Sequence, residues 1–214
     1  MDVTGYPSAG IANGAHGYAL ISNMQDKAKR SKQERDGNCY RYRLPLSSGA
    51  VDGQVPPPQL LKAVGKNGKI YGSELVRINE DFKGRPYRCS YGYTGFAGST
   101  ESGGGGFLEW GIVKLDHRTA EAGSSGSITA TVWESPNCYP SECVFVPRTR
   151  GVSGKDEDDG VLLSQIYDGV KKESFLLVID AKNMIELARC YTGVKCPTSF
   201  HGQFIDDRDK RKLS

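Results

Sequence analysis

The sequence predicts an all-β protein assembled from many short strands, and three observations carry this. Glycine and proline are frequent, at 27 and 10 of 214 residues, so turns recur and long helices have little room. Several runs alternate apolar and polar residues with period two. Tyr40, Tyr42, Leu44 and Leu46 form one such face, and Ile128, Ala130 and Val132 another. That is the pattern of a strand half-buried against a core. Clusters of Gly, Pro, Asn and Asp separate the runs, which makes antiparallel hairpins the economical connection. A sandwich, a barrel and a propeller all satisfy these observations, and periodicity alone does not choose among them.

In chain order, the stretch Gly17 to Gly37 has the residues of a short helix. Ala19, Leu20, Ile21 and Met24 lead into a basic run of Lys27, Lys29, Arg30, Lys32 and Arg35. The run reads either as a targeting or anionic-lipid patch or as a solvated face. Asp26, Glu34 and Asp36 interrupt it and favour the solvated face. Residues 1–38 are therefore expected to be a connecting segment, residues 39–206 the strand-bearing body, and residues 207–214 a charged tail. Within the body the predicted strands are Cys39–Leu46, Tyr87–Thr94, Leu108–Leu115, Ser127–Glu134, Cys143–Val146, Val161–Asp168, Phe175–Asp180 and Ser199–Ile205. The residues of Ala181–Cys190 favour helix, yet Asp180-Ala181-Lys182-Asn183 reads equally well as a turn. A hairpin returning through Ile185–Cys190 is the reading adopted. Ser47–Pro58 and Ser99–Gly106 are Pro/Gly and Gly-rich connections.

Composition excludes several functions. A net charge of +3, with the basic excess in local runs, argues against nucleic acid as a partner. The longest purely apolar run, Phe175 to Ile179, is far too short to cross a bilayer. Cys39, Cys89, Cys138, Cys143, Cys190 and Cys196 form no CxxC. Only a C-x4-C approaches zinc-finger spacing, and no paired histidines follow it, so reduced thiols in a cytoplasmic protein are expected. No signal peptide, phosphate-binding glycine loop, nucleophile elbow or HExxH is present.

Of the three histidines, His16 lies in a Gly/Ala-rich segment and His117 in a turn after Leu115-Asp116, and both read as surface residues. His201 sits between Phe200 and Gly202 in an otherwise apolar, glycine-relieved strand. On its own it reads as a buried, hydrogen-bonded histidine, because a lone imidazole makes no iron site. Glu74 precedes Leu75-Val76-Arg77, and Glu142 precedes Cys143-Val144-Phe145. A carboxylate at a strand entrance can orient a metal-bound histidine by accepting its second N–H. It can equally pair with an arginine or cap a turn, the simpler reading from sequence alone. The run Asp156-Glu157-Asp158-Asp159-Gly160 lacks the alternating ligands and closing Glu of a calcium loop and reads as a surface turn.

Together these segments closely resemble the end of the carotenoid cleavage oxygenases. The resemblance rests on an ordered set: Tyr42-Arg-Leu-Pro45, Glu74-Leu-Val-Arg-Ile-Asn79, Gly84-Arg-Pro-Tyr87, Trp110-Gly-Ile-Val-Lys-Leu-Asp116, Asp156–Gly160, Phe175–Lys182, Glu186–Arg189 and Phe200-His-Gly-Gln-Phe204. The insert Tyr139-Pro-Ser-Glu142 is similar to the animal branch, that of the β-carotene oxygenases and the retinal-pigment-epithelium isomerohydrolase. The resemblance implies a seven-bladed β-propeller, with residues 39–206 as its C-terminal blades. It also implies an Fe(II) cofactor held by four histidines and oriented by carboxylates, and addition of O2 across a double bond of a carotenoid or apocarotenoid. It implies an apolar tunnel reached from the membrane surface, hence peripheral membrane contact. By the same resemblance His201 matches the last iron ligand, and Glu74 and Glu142 match two of the orienting carboxylates.

Neither His16 nor His117 falls in a motif that carries a ligand, so three ligands and the N-terminal part of the propeller are expected to lie elsewhere. This chain alone is then expected to be inactive, or to be a short non-catalytic isoform that binds carotenoids, retinoids or partners. Two departures from the family pattern are Val76 in place of a proline and the absence of the particular aromatic that is usual in the family near Cys89.

Overall fold

Burial alternates with period two over Gly160–Asp168, but the face expected of Tyr40, Tyr42 and Leu44 does not form: the strand there ends at Arg41, and Leu44 is exposed. The computed structural model describes residues 2–5, 38–44, 57–95, 110–118, 126–149, 156–197 and 201–206. Its strands are β1 (Asp2–Gly5), β2 (Asn38–Arg41), β3 (Gln59–Gly65), β4 (Ile70–Tyr71), β5 (Glu74–Arg77), β6 (Cys89–Gly95), β7 (Trp110–Asp116), β8 (Ser127–Glu134), β9 (Cys138–Pro147), β10 (Gly160–Asp168), β11 (Glu173–Asp180) and β12 (Ile185–Tyr191). The helix expected over 17–37, the connection over 99–106, most of that over 47–58, the tail 207–214 and His16 lie outside the described residues.

Two sheets result. One runs β1-β2-β3-β8-β7-β6-β5, with β4 beside β3; the other runs β12-β11-β10-β9. Pairing is antiparallel throughout except for β3 with β8. The consecutive strands β5 to β8 and β9 to β12 therefore form two four-stranded meanders, the repeating unit of a propeller blade. Their facing sides share one core. Tyr91, Ile112 and Trp133 from the first meander meet Phe145, Leu162, Ile166, Phe175, Leu177 and Ile179 from the second. Tyr91 and Phe145 stack with ring centroids 5.4 Å apart. The other side of β7 and β8 buries Val113, Leu115, Ile128 and Ala130 against Leu61, Ala63 and Tyr71. β7 thus lies between two cores, which is why its run Gly111–Leu115 is buried on both faces.

β8 has the predicted bounds, and β10 and β11 begin one and two residues earlier than predicted. The hairpin reading of Ala181–Cys190 holds. Asp180 accepts the Lys182 amide at 3.2 Å, its carbonyl accepts the Met184 amide at 2.8 Å, and Met184 turns the chain at φ 58°. The predicted strand Ser199–Ile205 does not form over 201–206, where the chain has no regular structure. The Gly202 amide there is spent on a carboxylate, Glu142 Oε2 at 2.9 Å. Strands β1, β3, β4 and β5 were not anticipated. All six cysteines are free thiols, and no helix among the described residues is long and apolar enough to cross a membrane.

Candidate metal-ligand site

Two irregularities in the strands build the site. Between β5 and β6 the register passes from Glu74↔Tyr93 to Arg77↔Tyr91, so three steps on β5 oppose two on β6. Leu75, at φ 48°, absorbs the extra residue. In a regular strand, residues three apart point to opposite faces. Here the bulge brings Glu74 and Arg77 to the same face, the one Tyr91 presents toward β9. Between β9 and β10 the register passes from Cys143↔Ser164 to Pro140↔Ile166, so Ser141 and Glu142 together oppose Gln165. Each bulge aims one charged side chain at the other strand.

The Glu142 carboxylate, 4 % exposed, collects four donors. Oε1 accepts Arg77 Nε at 2.8 Å and faces His201 Nδ1 at 3.1 Å. Oε2 accepts Arg77 Nη2 at 2.8 Å and the Gly202 amide at 2.9 Å. The same Arg77 Nη2 also donates to the Gly202 carbonyl at 3.0 Å. Burial alone would raise the Glu142 pKa. The hydrogen bonds from Arg77, the Gly202 amide and His201 outweigh it and hold the group below the usual range. An ionised carboxylate only accepts, so Nδ1 of His201 carries a proton and a neutral ring keeps its lone pair on Nε2, the form of imidazole that ligates metals.

His201 and Glu142 are thus in direct contact, joined by Arg77, which the sequence did not single out. Glu74 enters through its strand, half-buried on the Arg77 face. His201 corrects its expectation in two respects: it lies outside any strand, and its side chain is 70 % exposed rather than buried. Beside it opens a cavity of about 670 Å³ whose lining includes Arg77, Asn79, Lys83, Phe145 and His201. Val76, which replaces a proline of the family pattern, is 44 % exposed, so the departure disturbs no core packing. One imidazole with its carboxylate does not make an iron site. No group of three or more His, Cys, Asp or Glu side chains able to hold a metal occurs among the described residues. The donor set fits one arm of a multi-imidazole centre and not the whole.

Two expectations about surface residues are overturned. His117 is 1 % exposed. Its Nε2 lies 2.9 Å from Ser90 Oγ and its Nδ1 3.4 Å from Arg41 Nη2, while Arg41 grips Asp2 through both oxygens at 2.8 and 2.9 Å. Ser90, His117 and Asp2 have the composition of a hydrolytic triad, but Asp2 Oδ2 is 3.8 Å from Nδ1, beyond hydrogen-bond reach, and both of its oxygens are taken by Arg41. The acidic run is a turn, yet Glu157 and Asp158 are buried. Asp158 Oδ2 lies 2.6 Å from both Lys114 Nζ and Arg88 Nη2, and Glu157 accepts the amides of Arg88 and Cys89 at 2.6 and 2.7 Å. Lys114 completes its shell with the carbonyls of Ala181 and Lys182. This network locks the second meander to the first.

A family model described as Retinal pigment epithelial membrane protein matches residues 1–206. The beta,beta-carotene 15,15'-dioxygenase of Mus musculus is 34 % identical over 153 residues, covering 67 % of this chain and 24 % of that protein. The torulene dioxygenase of Fusarium fujikuroi is 28 % identical over 218 residues, covering 94 % of this chain and 33 % of that protein. Among solved structures, a cobalt-substituted Synechocystis ACO has the same fold. Its TM-score is 0.60 at 24 % identity, with 81 % of this chain and 31 % of that one covered. The chain spans about a quarter to a third of the length of these relatives.

Proposed function

This chain belongs to the family of the retinal pigment epithelial membrane protein and the carotenoid dioxygenases, and on that premise we propose that it is the C-terminal part of an Fe(II)-dependent dioxygenase. The reaction adds O2 across one double bond of a carotenoid or apocarotenoid and yields two carbonyl fragments. The observation that carries this reading is the His201–Glu142 contact at 3.1 Å. A buried, ionised carboxylate that fixes the Nδ1 proton presents Nε2 as a neutral ligand, the arrangement that raises the basicity of metal-bound histidines. In this reading His201 supplies one imidazole of the iron centre, Glu142 orients it, and Glu74 on the neighbouring bulge serves another imidazole.

The remaining ligands come from the N-terminal part of the propeller, and the second sheet supports a partner of that kind. Its face away from the shared core carries Val144, Val146, Val161, Leu163, Leu176, Val178 and Ala188 in register across four strands. All seven are partly or fully exposed. A contiguous apolar face of this kind calls for a covering layer, and the preceding part of a propeller ring supplies one. The cavity beside His201 mixes Asn79, Glu80, Asp81 and Lys83 with Phe145, Pro147 and Phe204. A lining this mixed is not by itself an apolar tunnel, so the substrate tunnel is assigned mainly to the upstream part. The protein is proposed to be cytoplasmic and to meet membranes peripherally, where such substrates dissolve. A second reading, a short non-catalytic form that binds carotenoids, retinoids or partners, draws on the same partly exposed face.

The test is a cleavage assay on the longest polypeptide that carries this sequence, with Fe(II), O2 and a panel of carotenoids and apocarotenoids. Paired carbonyl products are expected from the long form and none from residues 1–214 alone. A long form that holds iron and cleaves nothing in the panel would overturn the oxygenase reading.

A further inference from the structure

We infer that Arg77 is a positioning residue for His201, acting through Glu142 and through the coil that carries the histidine; its purpose rests on the reading of His201 as a ligand. Residues 201–206 make no ladder hydrogen bonds, so the coil must be held by side chains. Its upstream anchor is on the second sheet. The Thr192 amide donates to the Ser174 carbonyl at 3.0 Å, the Cys196 amide to Ser174 Oγ at 3.0 Å, and Gln165 Nε2 to the Pro197 carbonyl at 2.7 Å. At His201 the anchor changes sheets. Arg77, on β5, forks onto both Glu142 oxygens and in the same stroke takes the Gly202 carbonyl. Glu142, on β9, returns a bond to the Gly202 amide. One guanidinium therefore ties β5, β9 and the coil together beside an imidazole whose side chain is 70 % exposed.

The fork matters beyond its charge. Two parallel bonds from a planar guanidinium fix the plane of the carboxylate, and a carboxylate fixed in plane offers Oε1 to His201 in one direction. Without the fork the carboxylate rotates, the Gly202 peptide loses one of its two ties to the site, and Nδ1 of His201 loses its fixed acceptor. A proton that moves from Nδ1 to Nε2 blocks the atom a metal needs. The bulge at Leu75 is what makes the arrangement available, because in a regular strand Arg77 would face away from β9.

The experiment reads tautomer and docking in the metal-free chain, so its outcome is independent of whether the iron reading stands. His201 side-chain nitrogen shifts and Gly202 amide exchange are measured by NMR at about pH 8.5, where a free imidazole is neutral. The wild-type chain is expected to show the proton on Nδ1 and a protected Gly202 amide. Arg77→Gln is expected to move the proton population toward Nε2 and to speed Gly202 exchange about tenfold or more, with core methyl signals unchanged. Arg77→Lys, which keeps the charge without the fork, is expected to recover only part of each effect. A folded Arg77→Gln chain with wild-type tautomer and wild-type exchange overturns the proposal. Should that variant lose its core, an Arg77→Lys chain indistinguishable from wild type in both readouts overturns it instead.

Discussion

Asp158→Ala is expected to destabilise the protein by about 3–5 kcal/mol, the cost of stranding a buried charge once its partner is removed. Lys114 is 6 % exposed in the middle of β7 and would keep two carbonyls but no counter-charge, and Arg88 would lose its 2.6 Å contact as well. The measurement is the urea midpoint at unchanged slope. The exposed pair Lys182–Asp156, which joins the β11–β12 turn to the acidic turn, is the control, and Lys182→Ala should leave the midpoint where it was. Acid should act on the same network. Burial works to raise the Asp158 pKa, but Lys114 and Arg88 outweigh it and hold the group below its usual value. Its stabilising share is therefore complete above its unfolded pKa of about 3.9 and is lost as pH falls through the folded value.

His201→Ala in the complete polypeptide is expected to abolish iron occupancy, because under the proposed function it removes a ligand outright. Glu142→Gln should weaken it less, on the order of 10–100-fold in affinity, as is usual when the partner of a metal-bound histidine is changed. The geometry explains why glutamine is a poor replacement. All four groups facing Glu142 are donors. A glutamine amide accepts at one end only, and its NH2 would confront either His201 and Arg77 Nε or the Gly202 amide and Arg77 Nη2. Equal iron contents in wild type, His201→Ala and Glu142→Gln would refute the assignment of His201.

What the sequence makes legible is whatever periodicity encodes. β10 alternates buried and partly exposed residues over its whole length, β8 over Ser127–Thr131 and β11 from Phe175 on, and all three lie within two residues of their expected bounds. The β11–β12 hairpin followed from Asp180-Ala181-Lys182-Asn183. β3 carries the same signal in Leu61 and Ala63, both buried beside exposed Leu60 and Lys62, but the signal is short and follows directly on the Pro-rich connection. The site was half legible. Glu142 and His201 could be proposed as an orienting carboxylate and a ligand from the family pattern, but not as partners of each other, and Arg77 could not be proposed at all. Its role depends on bulges in β5 and β9 that leave no periodic trace. The buried state of Asp158 was equally hidden, because an acidic run reads as solvated and its partner Lys114 is 44 residues away. His201 misled in the opposite direction. Apolar neighbours suggested a buried strand, but the chain there is coil because its amide bonds a carboxylate rather than a neighbouring strand.

The central claim is that this sequence works as part of a larger iron oxygenase. The most direct measurement is the size and iron content of the native polypeptide captured with an antibody against residues 197–207. A species more than twice 23.3 kDa that carries iron and releases carbonyl products from a carotenoid is the predicted result. A stable species near 23.3 kDa without iron would contradict the account and turn the search for function toward binding.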